Sequence, residues 1–361
     1  MPAHGLAFEG SCSGVGKKSS ESVDMPVDVE GDRRSSPELS VCIVTHDSRD
    51  IVRPALDSVR RVAADFAVEI IVVDNDSGDD TRLMIATEYP EVVVMHNDVN
   101  LGYAPAMNVA LQRARGEFVL TLSHDGELKP GAVAVLLSFM QTHPEVGLAG
   151  PRTIDADGQV VTTLHHPNLM LTIWTEIVPL KSWLRRRLTI RRFITALWPN
   201  SSGLTSDYGS THKAPVLDGG CLVISRRAIQ AVGLLDEKLM QGPDDYDLCF
   251  RMNRAGLQTW YVAESEIVHR TRVKEDLRQL TPRYLRTLLP QLCYMYSKYH
   301  GRFRTTILCV SAYLLSLKLQ RSAKRLYGMD SVQVKALQEA SFFCLRPERY
   351  AYEYKRLWLG R

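Results

Sequence analysis

The feature that most constrains the fold is a regular alternation of apolar runs and amphipathic segments over residues 39–125. The apolar runs at 39–44, 68–73, 92–95 and 118–122 have the length and composition of β-strands. The second run is almost wholly apolar, which is typical of a parallel strand covered on both faces. The segments between them repeat apolar residues at helical spacing. This alternation predicts an α/β fold with a doubly wound, mostly parallel sheet and flanking helices.

Polar side chains follow the predicted strands. They include Thr45, Asp47, Asp74, Asn100, Asn108 and Asp125. Because ligands bind at the carboxyl ends of strands in an open α/β sheet, we expect these groups to converge at one edge. Asp74 suits a nucleobase imide or a ribose hydroxyl, and Asp125 suits a divalent cation that bridges nucleotide phosphates. Each residue alone is more typical of a turn or helix cap, so the inference depends on their occurrence together.

Three later features belong to the candidate site. Paired glycines, Gly219 and Gly220, occur in a predicted strand at 216–224 and permit a close approach of the backbone to a ligand. An acidic cluster leads into a predicted helix at 248–255, where negative charge also favours the helix dipole. Its members are Asp244, Asp245 and Asp247. His269 lies beyond a predicted last strand at 259–262.

Local signals also predict where elements begin and end. Residues 45–48 are expected to cap the helix after the first strand, and Ser225 is expected to cap a helix that ends near Gly233. The Asp157–Gly158 pair is typical of a hairpin turn. No GxGxxG motif follows the first strand, which favours a mononucleotide carrier over a dinucleotide.

Charge and cysteine content exclude several classes of protein. The net charge of +3 is too small to indicate a nucleic-acid partner. The seven cysteines are scattered, and none forms a CxxC pair that would indicate zinc. We therefore expect free thiols in a reducing compartment, the cytoplasm. No signal peptide is visible, and no apolar stretch approaches the ~18 residues that a membrane span needs.

The two ends of the chain differ from its middle. Residues 1–38 are rich in Ser, Gly, Asp and Glu, and their composition predicts a disordered tail. Residues 273–361 contain apolar residues at helical spacing and predict a helical region that packs on the catalytic domain or on a second subunit. Within it, the apolar run at 307–317 is flanked by Arg and Lys. It reads as a buried or docking helix, and contact with a membrane surface stays open as the alternative.

The order of the motifs resembles that of the inverting family 2 glycosyltransferases of the GT-A fold, in particular their bacterial rhamnosyltransferase-like branch. The resemblance spans about residues 39–272. The matching motifs, followed by His269, are VCIVTHDS at 41–48, IIVVDN at 70–75, NLGY at 100–103 with Asn108, SHD at 123–125, DGGCLVISR at 218–226, GLLDE at 233–237 and DDYDLCFR at 244–251. Each motif is short, but seven in the same order are specific.

The resemblance implies a role for each matching residue. Asp74 would hold the base of the nucleotide, within a nucleotide site that also includes Thr45, Asp47, Asn100 and Asn108. Asp125 ends a DxD-like motif and would bind Mg²⁺ or Mn²⁺ on the diphosphate, with His269 completing the metal site. Asp245 would be the general base. The acceptor side would be lined by Gly219, Gly220, Asp244 and Asp247.

The resemblance also implies a division of the chain. Residues 39–272 would form the GT-A catalytic domain, with the nucleotide-binding half at 39–125 and the acceptor half at 126–272. The donor would be a dTDP- or UDP-hexose, and rhamnose is one candidate for its sugar. From its composition, the region at about 165–213 is either a solvated helix face or the part that reads the acceptor. Its aromatic and basic residues form no motif that identifies a lipid-linked or a small soluble acceptor.

Three positions depart from the family pattern. Asp47 stands where the family usually has Asn, and Asp244 replaces the usual Glu. Ser123-His124 replaces Asn-Pro or a first Asp, so the metal site would depend more on His269. A catalytically silent nucleotide-sugar-binding or scaffolding protein therefore remains an alternative. A nucleotidyltransferase is less favoured, because residues 45–48 are not a basic, Gly-rich loop.

Overall fold

A computed structural model describes residues 36–161, 163–164, 207–217, 219–240, 242–270 and 282–359. Most of the predicted tail at 1–38 and most of the predicted acceptor-reading region at 165–213 lie outside these residues. The described residues from 37 onwards belong to one compact unit. No helix among the described residues is long and apolar enough to cross a membrane.

The first half of the sheet is parallel. Its strands are β1 (Leu39–Thr45), β2 (Val68–Asn75), β3 (Val92–Asn97) and β4 (Phe118–Ser123), in the spatial order β3-β2-β1-β4. All three pairings are parallel, so the four carboxyl ends share one edge. The alternation in the sequence therefore correctly predicted the strands and their direction.

The second half of the sheet is mixed. Its strands are β5 (Gly126–Leu128), β6 (Val146–Ile154), β7 (His212–Lys213), β8 (Cys221–Ser225) and β9 (Gln258–His269). The sheet continues from β4 in the order β8-β6-β9-β5, and β7 pairs with β9. Here β6 and β9 are parallel, whereas β8 and β5 run antiparallel to their neighbours. The reversal at β8 brings Gly219 and Gly220, which precede that strand, to the edge where β4 ends.

Helices cover both faces of the sheet. The described helices before the C-terminal region are α1 (Val52–Val62), α2 (Thr81–Glu88), α3 (Tyr103–Arg113), α4 (Ala132–Thr142), α5 (Arg226–Val232) and α6 (Asp244–Arg254). One core lies between the sheet and α1, α2 and α4. The other lies between the sheet and α3, α5 and α6. Alternate residues of β1 divide between the two cores, as expected for a strand covered on both sides.

The C-terminal region is helical, as the sequence predicted. It contains α7 (Pro282–Tyr299), α8 (Arg302–Tyr327), α9 (Val332–Cys344) and α10 (Pro347–Leu359). Buried residues of α7 and α8 belong to the same core as α3, α5 and α6. Of the two packing arrangements expected from the sequence, the structure thus shows packing on the domain that contains the sheet.

Several predicted boundaries are corrected. The cap expected at residues 45–48 is wrong, because α1 begins at Val52 and its N-cap Ile51 makes no side-chain cap hydrogen bond. The last strand was predicted to end at Val262 but continues to His269, past polar residues that interrupt its apolar pattern. By contrast, the Ser225 cap is confirmed, since its side chain accepts a hydrogen bond from the Ala228 amide at 3.2 Å.

Gly116 lies where the chain passes from α3 to β4, against the start of β1. A Cβ atom at this position would lie 2.5 Å from the Ser40 nitrogen and 2.7 Å from the Leu39 carbonyl carbon. Both are backbone atoms of a central strand, which cannot move aside without disturbing the sheet. Gly116 thus allows β1 and the start of β4 to approach closely.

We expect Gly116→Ala to lower the free energy of unfolding by about 1–3 kcal/mol because of overpacking. Thermal unfolding of the purified protein would show this as a melting midpoint several degrees lower. Gly301→Ala is the matched control, because a Cβ there meets no heavy atom within 4 Å. Equal midpoints for the two variants would contradict the assignment of a tight contact at Gly116.

Candidate functional site

The ends of β1 and β2 place two polar side chains next to each other. Thr45 and Asp74 are partners in the parallel register, and each is only 1% exposed. The Thr45 hydroxyl and one Asp74 carboxylate oxygen, Oδ1, are buried and have no hydrogen-bond partner in the described structure. A buried polar atom without a partner typically costs about 1–3 kcal/mol. These two oxygens are therefore candidates for contact with a ligand at the sheet edge.

The second oxygen of Asp74 is held by its surroundings. It lies 3.1 Å from the His96 Nδ1 atom and accepts a long hydrogen bond, 3.4 Å, from the Ser77 amide. This contact to His96, at the end of β3, fixes the carboxylate in place. The adjoining segments 46–47 and 78–80 are exposed.

Asp47 ties the loop after β1 to the loop after β2. Its side chain accepts a hydrogen bond from the Gly78 amide at 2.7 Å, and its own amide donates to the Ser77 hydroxyl at 3.0 Å. Its φ of 49° lies in the left-handed region, which Asn and Asp adopt more readily than most other residues. Asp47 thus shapes the loop beside Asp74.

An amide network joins the ends of β2 and β3 to the start of α3. The Asn75 side chain donates to the Asn100 side-chain oxygen at 3.3 Å and to the Gly102 carbonyl at 3.2 Å. The Asn100 side chain also accepts from the Gly102 amide at 3.0 Å. Gly102 has a φ of 90°, which favours glycine. The Asn100 side chain therefore stabilises the turn at Gly102 that leads into α3.

Asn108 holds two distant parts of the chain together. Its side chain donates to the Leu235 carbonyl at 3.0 Å and accepts from the Leu235 amide at 2.9 Å. This pair of bonds fastens α3 to the segment after α5. Asn108 thus makes a structural contact with Leu235, and its place in the nucleotide site stays a prediction.

Asp125 and His269 meet at the far end of β4. Because β5 pairs with β9, Gly126 is opposite His269, and the His269 Nε2 atom lies 3.4 Å from Asp125 Oδ1. The Ser123 hydroxyl donates to the same carboxylate oxygen. The Asp125 residue is 4% exposed. Asp125 and His269 thus form a polar pair although they are 144 positions apart in the sequence. A serine from β4 supports the pair.

The Asp125–His269 pair is a small set of donors for a metal ion. No group of three or more His, Cys, Asp or Glu side chains that could hold a metal occurs among the described residues. Mg²⁺ commonly takes only one or two carboxylates from a protein and completes its shell with water and substrate phosphates. The donor set therefore fits a cation that is held jointly with a diphosphate.

Gly219 and Gly220 connect this pair to the acidic start of α6. The Gly219 amide donates to Asp245 Oδ2 at 2.8 Å, and the Ser123 amide donates to the Gly220 carbonyl at 2.9 Å. A Cβ on Gly220 would lie 3.5 Å from the His269 ring. The glycine pair thus lies between Asp245 and His269, with backbone contacts to both sides of the site.

Asp244 and Asp245 begin α6, so they lie where its dipole favours negative charge. The Asp245 side chain also accepts from the Tyr246 amide at 2.7 Å, and Asp244 accepts from the Gly242 amide at 2.9 Å. A small cavity of about 20 Å³ has Asp244 and Asp245 among its lining residues. Burial and these two carboxylates raise the pKa of Tyr103, which lines the same cavity.

Asp247 lies in a different environment from the other two acidic residues. It is fully buried, and its side chain accepts hydrogen bonds from the Lys298 ammonium and the Tyr299 hydroxyl, both at 2.5 Å, and from Arg251 at 2.8 Å. Lys298 also contacts Asp236 at 2.6 Å. The structure thus directs Asp247 towards α7, and we infer that it positions α6.

Trp358 is a second contribution of the C-terminal helices that the sequence did not indicate. Its indole nitrogen donates to the Asn100 carbonyl at 2.9 Å, across 258 positions of sequence. A Cβ on Gly102 would lie 3.2 Å from the same ring. A helix at the end of the chain therefore supports the turn that leads into α3. No sign of this contact appears in the sequence, because residues so far apart form no local pattern.

Comparison with known proteins identifies what the chain is similar to. The profile of the family described as "Glycosyl transferase family 2" matches residues 40–233, more than half of the chain. An N-acetylglucosaminyl-diphospho-decaprenol L-rhamnosyltransferase of Mycobacterium tuberculosis is 27% identical over 248 residues, which cover 64% of this chain and 75% of the relative. An O-antigen biosynthesis protein of Myxococcus xanthus is 23% identical over 65% of this chain, but the match spans only 17% of that longer protein.

Among solved structures, GalNAc-T7 with UDP, GalNAc and Mn²⁺ has a similar fold. The TM-score is 0.51 at 15% sequence identity, and the match covers 89% of this chain and 57% of that one. This likeness concerns the fold alone. It confirms the GT-A type of architecture that the resemblance of the motifs implied.

The Trp358 contact predicts an effect on nucleotide binding. Trp358→Phe removes the hydrogen bond to Asn100 while keeping an aromatic ring, and one such bond is typically worth about 0.5–1.5 kcal/mol. We expect nucleotide affinity to fall roughly 2–10-fold, as measured by isothermal titration. Tyr352→Phe, on the same helix and 89% exposed, is the control. An unchanged affinity in folded Trp358→Phe would show that the contact does not reach the nucleotide site.

Proposed function

The chain belongs to glycosyl transferase family 2, and on this basis we propose that it is an inverting hexosyltransferase with Asp245 as its general base. As a glycosyltransferase of the GT-A fold, it uses a nucleotide sugar as donor. The observation that carries the more specific proposal is the convergence, at one sheet edge, of two unpartnered oxygens, a carboxylate–imidazole pair and a second acidic pair.

We propose that the donor nucleotide binds at the ends of β1 and β2. Asp74 Oδ1 and the Thr45 hydroxyl, which lack protein partners, would gain them from a base imide or a ribose hydroxyl. Asp47 and Asn100 would act by shaping the loops on either side. We propose a dTDP- or UDP-linked hexose, and rhamnose is supported by the name of the mycobacterial relative.

Asp125 and His269 would hold Mg²⁺ or Mn²⁺ together with the donor diphosphate. A divalent cation there supplies stabilisation of the negative charge that develops on the leaving diphosphate. The Ser123 hydroxyl, at a position where the family pattern has another residue, keeps the Asp125 carboxylate oriented. The departure at Ser123 therefore preserves a polar contact within the pair.

Asp245 would remove a proton from the acceptor hydroxyl. Backbone amides of Gly219 and Tyr246 each donate to one of its carboxylate oxygens, which fixes the orientation of the carboxylate. The acceptor oxygen then forms a bond to the anomeric carbon from the face opposite the diphosphate. The bond from that carbon to the phosphate oxygen breaks, and the nucleoside diphosphate leaves with the electron pair. One base suffices for such inverting transfer.

For the acceptor, we propose a sugar diphosphate on a lipid carrier. The support is the name of the mycobacterial relative, in which the acceptor is a decaprenol-linked N-acetylglucosaminyl diphosphate. Such an acceptor would place the reaction at the inner face of a membrane. The six described cysteines are buried and free.

The general-base assignment predicts the behaviour of Asp245→Asn. Transfer from donor to acceptor should fall about 10²–10⁴-fold, because a positioned general base typically contributes that much. Nucleotide affinity should be retained, because Thr45 and Asp74 are unchanged. Asp244→Asn is the matched comparison, since an amide oxygen still accepts from Gly242, and it should lower transfer less than Asp245→Asn does. Equal turnover by Asp245→Asn and the unaltered protein would exclude Asp245 as the base.

The metal assignment is tested by isothermal titration with UDP, dTDP and GDP, with and without Mn²⁺. We expect one nucleotide to bind more tightly with the metal and to lose this gain in Asp125→Asn, because one ligand of the cation is removed. His269→Gln should weaken the same gain. If Mn²⁺ improves nucleotide binding by both variants as much as it does for the unaltered protein, the cation is held elsewhere.

A further inference from the structure

The helix α8 is unusual in its charge. Over its 26 residues it contains no Asp or Glu, and it carries six basic residues. They are Arg302, Arg304, Lys318, Arg321, Lys324 and Arg325. The whole chain has a net charge of only +3, so α8 is a local concentration of positive charge. At 1.5 Å per residue this helix is about 39 Å long.

The same helix exposes large apolar side chains along one side. Phe303 is 79% exposed, Val310 44% and Leu314 52%. Their spacing of seven and four residues places them on one face of a helix. This stripe leads into Lys318, Arg321 and Arg325, which are exposed and continue the same spacing. One helix face therefore carries both apolar and basic groups.

The opposite face of α8 has its own function in the fold. Leu308, Cys309, Ala312 and Leu315 are buried in the core that α8 shares with the catalytic sheet. The Ser316 hydroxyl and Gln320 make hydrogen bonds to Ser341 of α9. Because this face anchors the helix, the exposed stripe is held rigidly at the surface.

The combination of charge and apolar residues identifies a partner. A helix with apolar residues and Lys or Arg on its exposed side binds at the boundary of headgroups and acyl chains, and anionic lipids strengthen this binding. Long basic side chains extend from such a position to the phosphate groups. Two copies of this chain pairing through α8 would bring twelve basic residues together without a compensating acidic residue from either helix.

We propose that the exposed face of α8 docks on an anionic phospholipid surface. Phe303, Val310 and Leu314 enter the interfacial region, and Lys318, Arg321 and Arg325 contact headgroup phosphates. The purpose of this docking rests on the proposed function. Docking would bring the catalytic domain to a lipid-linked acceptor. The docking itself needs neither donor nor acceptor.

Co-sedimentation of the full-length protein with vesicles tests the proposal. We expect binding to vesicles of phosphatidylcholine with phosphatidylglycerol and much weaker binding to phosphatidylcholine alone. Two double variants, Phe303→Ser with Leu314→Ser and Arg321→Glu with Arg325→Glu, should each lower the affinity about tenfold or more. Added salt should weaken the binding of the unaltered protein, because the charge contribution is screened.

The matched control is Arg82→Glu with Leu83→Ser on α2, which changes one exposed basic and one 65% exposed apolar residue elsewhere. Equal vesicle binding by all variants, or no binding by the unaltered protein, would overturn the proposal. So would a dimer, seen by light scattering, that the α8 variants dissociate. Nucleotide titration of the same variants separates the docking proposal from the proposed function. If no nucleotide binds, the donor-site assignment is wrong, whereas the docking proposal is unaffected.

Discussion

The interaction on which the site most depends is the burial of the Asp247 carboxylate between α6 and α7. Burying a charge without partners is strongly unfavourable, so Asp247 requires Lys298, Tyr299 and Arg251 around it. Burial and the hydrogen bond to Asp247 raise the pKa of Tyr299, which keeps its hydroxyl protonated as a donor. Since Asp247 lies two residues after Asp245, the network that satisfies it also orients the first turn of α6. The C-terminal helices are thus part of the support of the site, although the family match ends at residue 233.

A second constraint comes from the sheet. Parallel pairing of β1, β2 and β4 brings Thr45, Asp74 and Ser123 to one edge, while the antiparallel β8 and β5 turn Gly220 and Gly126 towards the same place. The backbone thereby supplies most of the fixed donors, including the amides of Gly219 and Tyr246 on Asp245. Acidic groups are concentrated at this edge, and their negative charge supports the proposal of a cation held there with a diphosphate. The unpartnered oxygens of Thr45 and Asp74 mark where the protein itself leaves hydrogen bonds to be made.

The sequence predicted correctly those elements that depend on neighbouring residues, and it missed those that depend on distant parts of the chain. The first four strands were predicted because each is a short, nearly continuous apolar run, and the Ser225 cap was predicted because a cap acts within three residues. The extension of β9 was missed because Glu264, Ser265 and Glu266 break the apolar pattern, while pairing with β6 and β5 maintains the strand. The proposed cap at 45–48 failed because Thr45 is still in the strand, and Ser48 accepts the first helical amides with its backbone carbonyl.

The sequence by itself determined the α/β class, the order of the motifs and the family, and it supplied the residues proposed for the site, because apolar periodicity and short motifs are local properties of the chain. Only the tertiary structure decided which of those residues act together. It paired Asp125 with His269, directed Asp247 to Lys298, joined Asn108 to Leu235 and placed Trp358 against Asn100. It also decided which face of α8 remains exposed. These contacts span about fifty to more than two hundred and fifty positions. They follow from the packing of helices on a mixed sheet, which no local pattern of residues records.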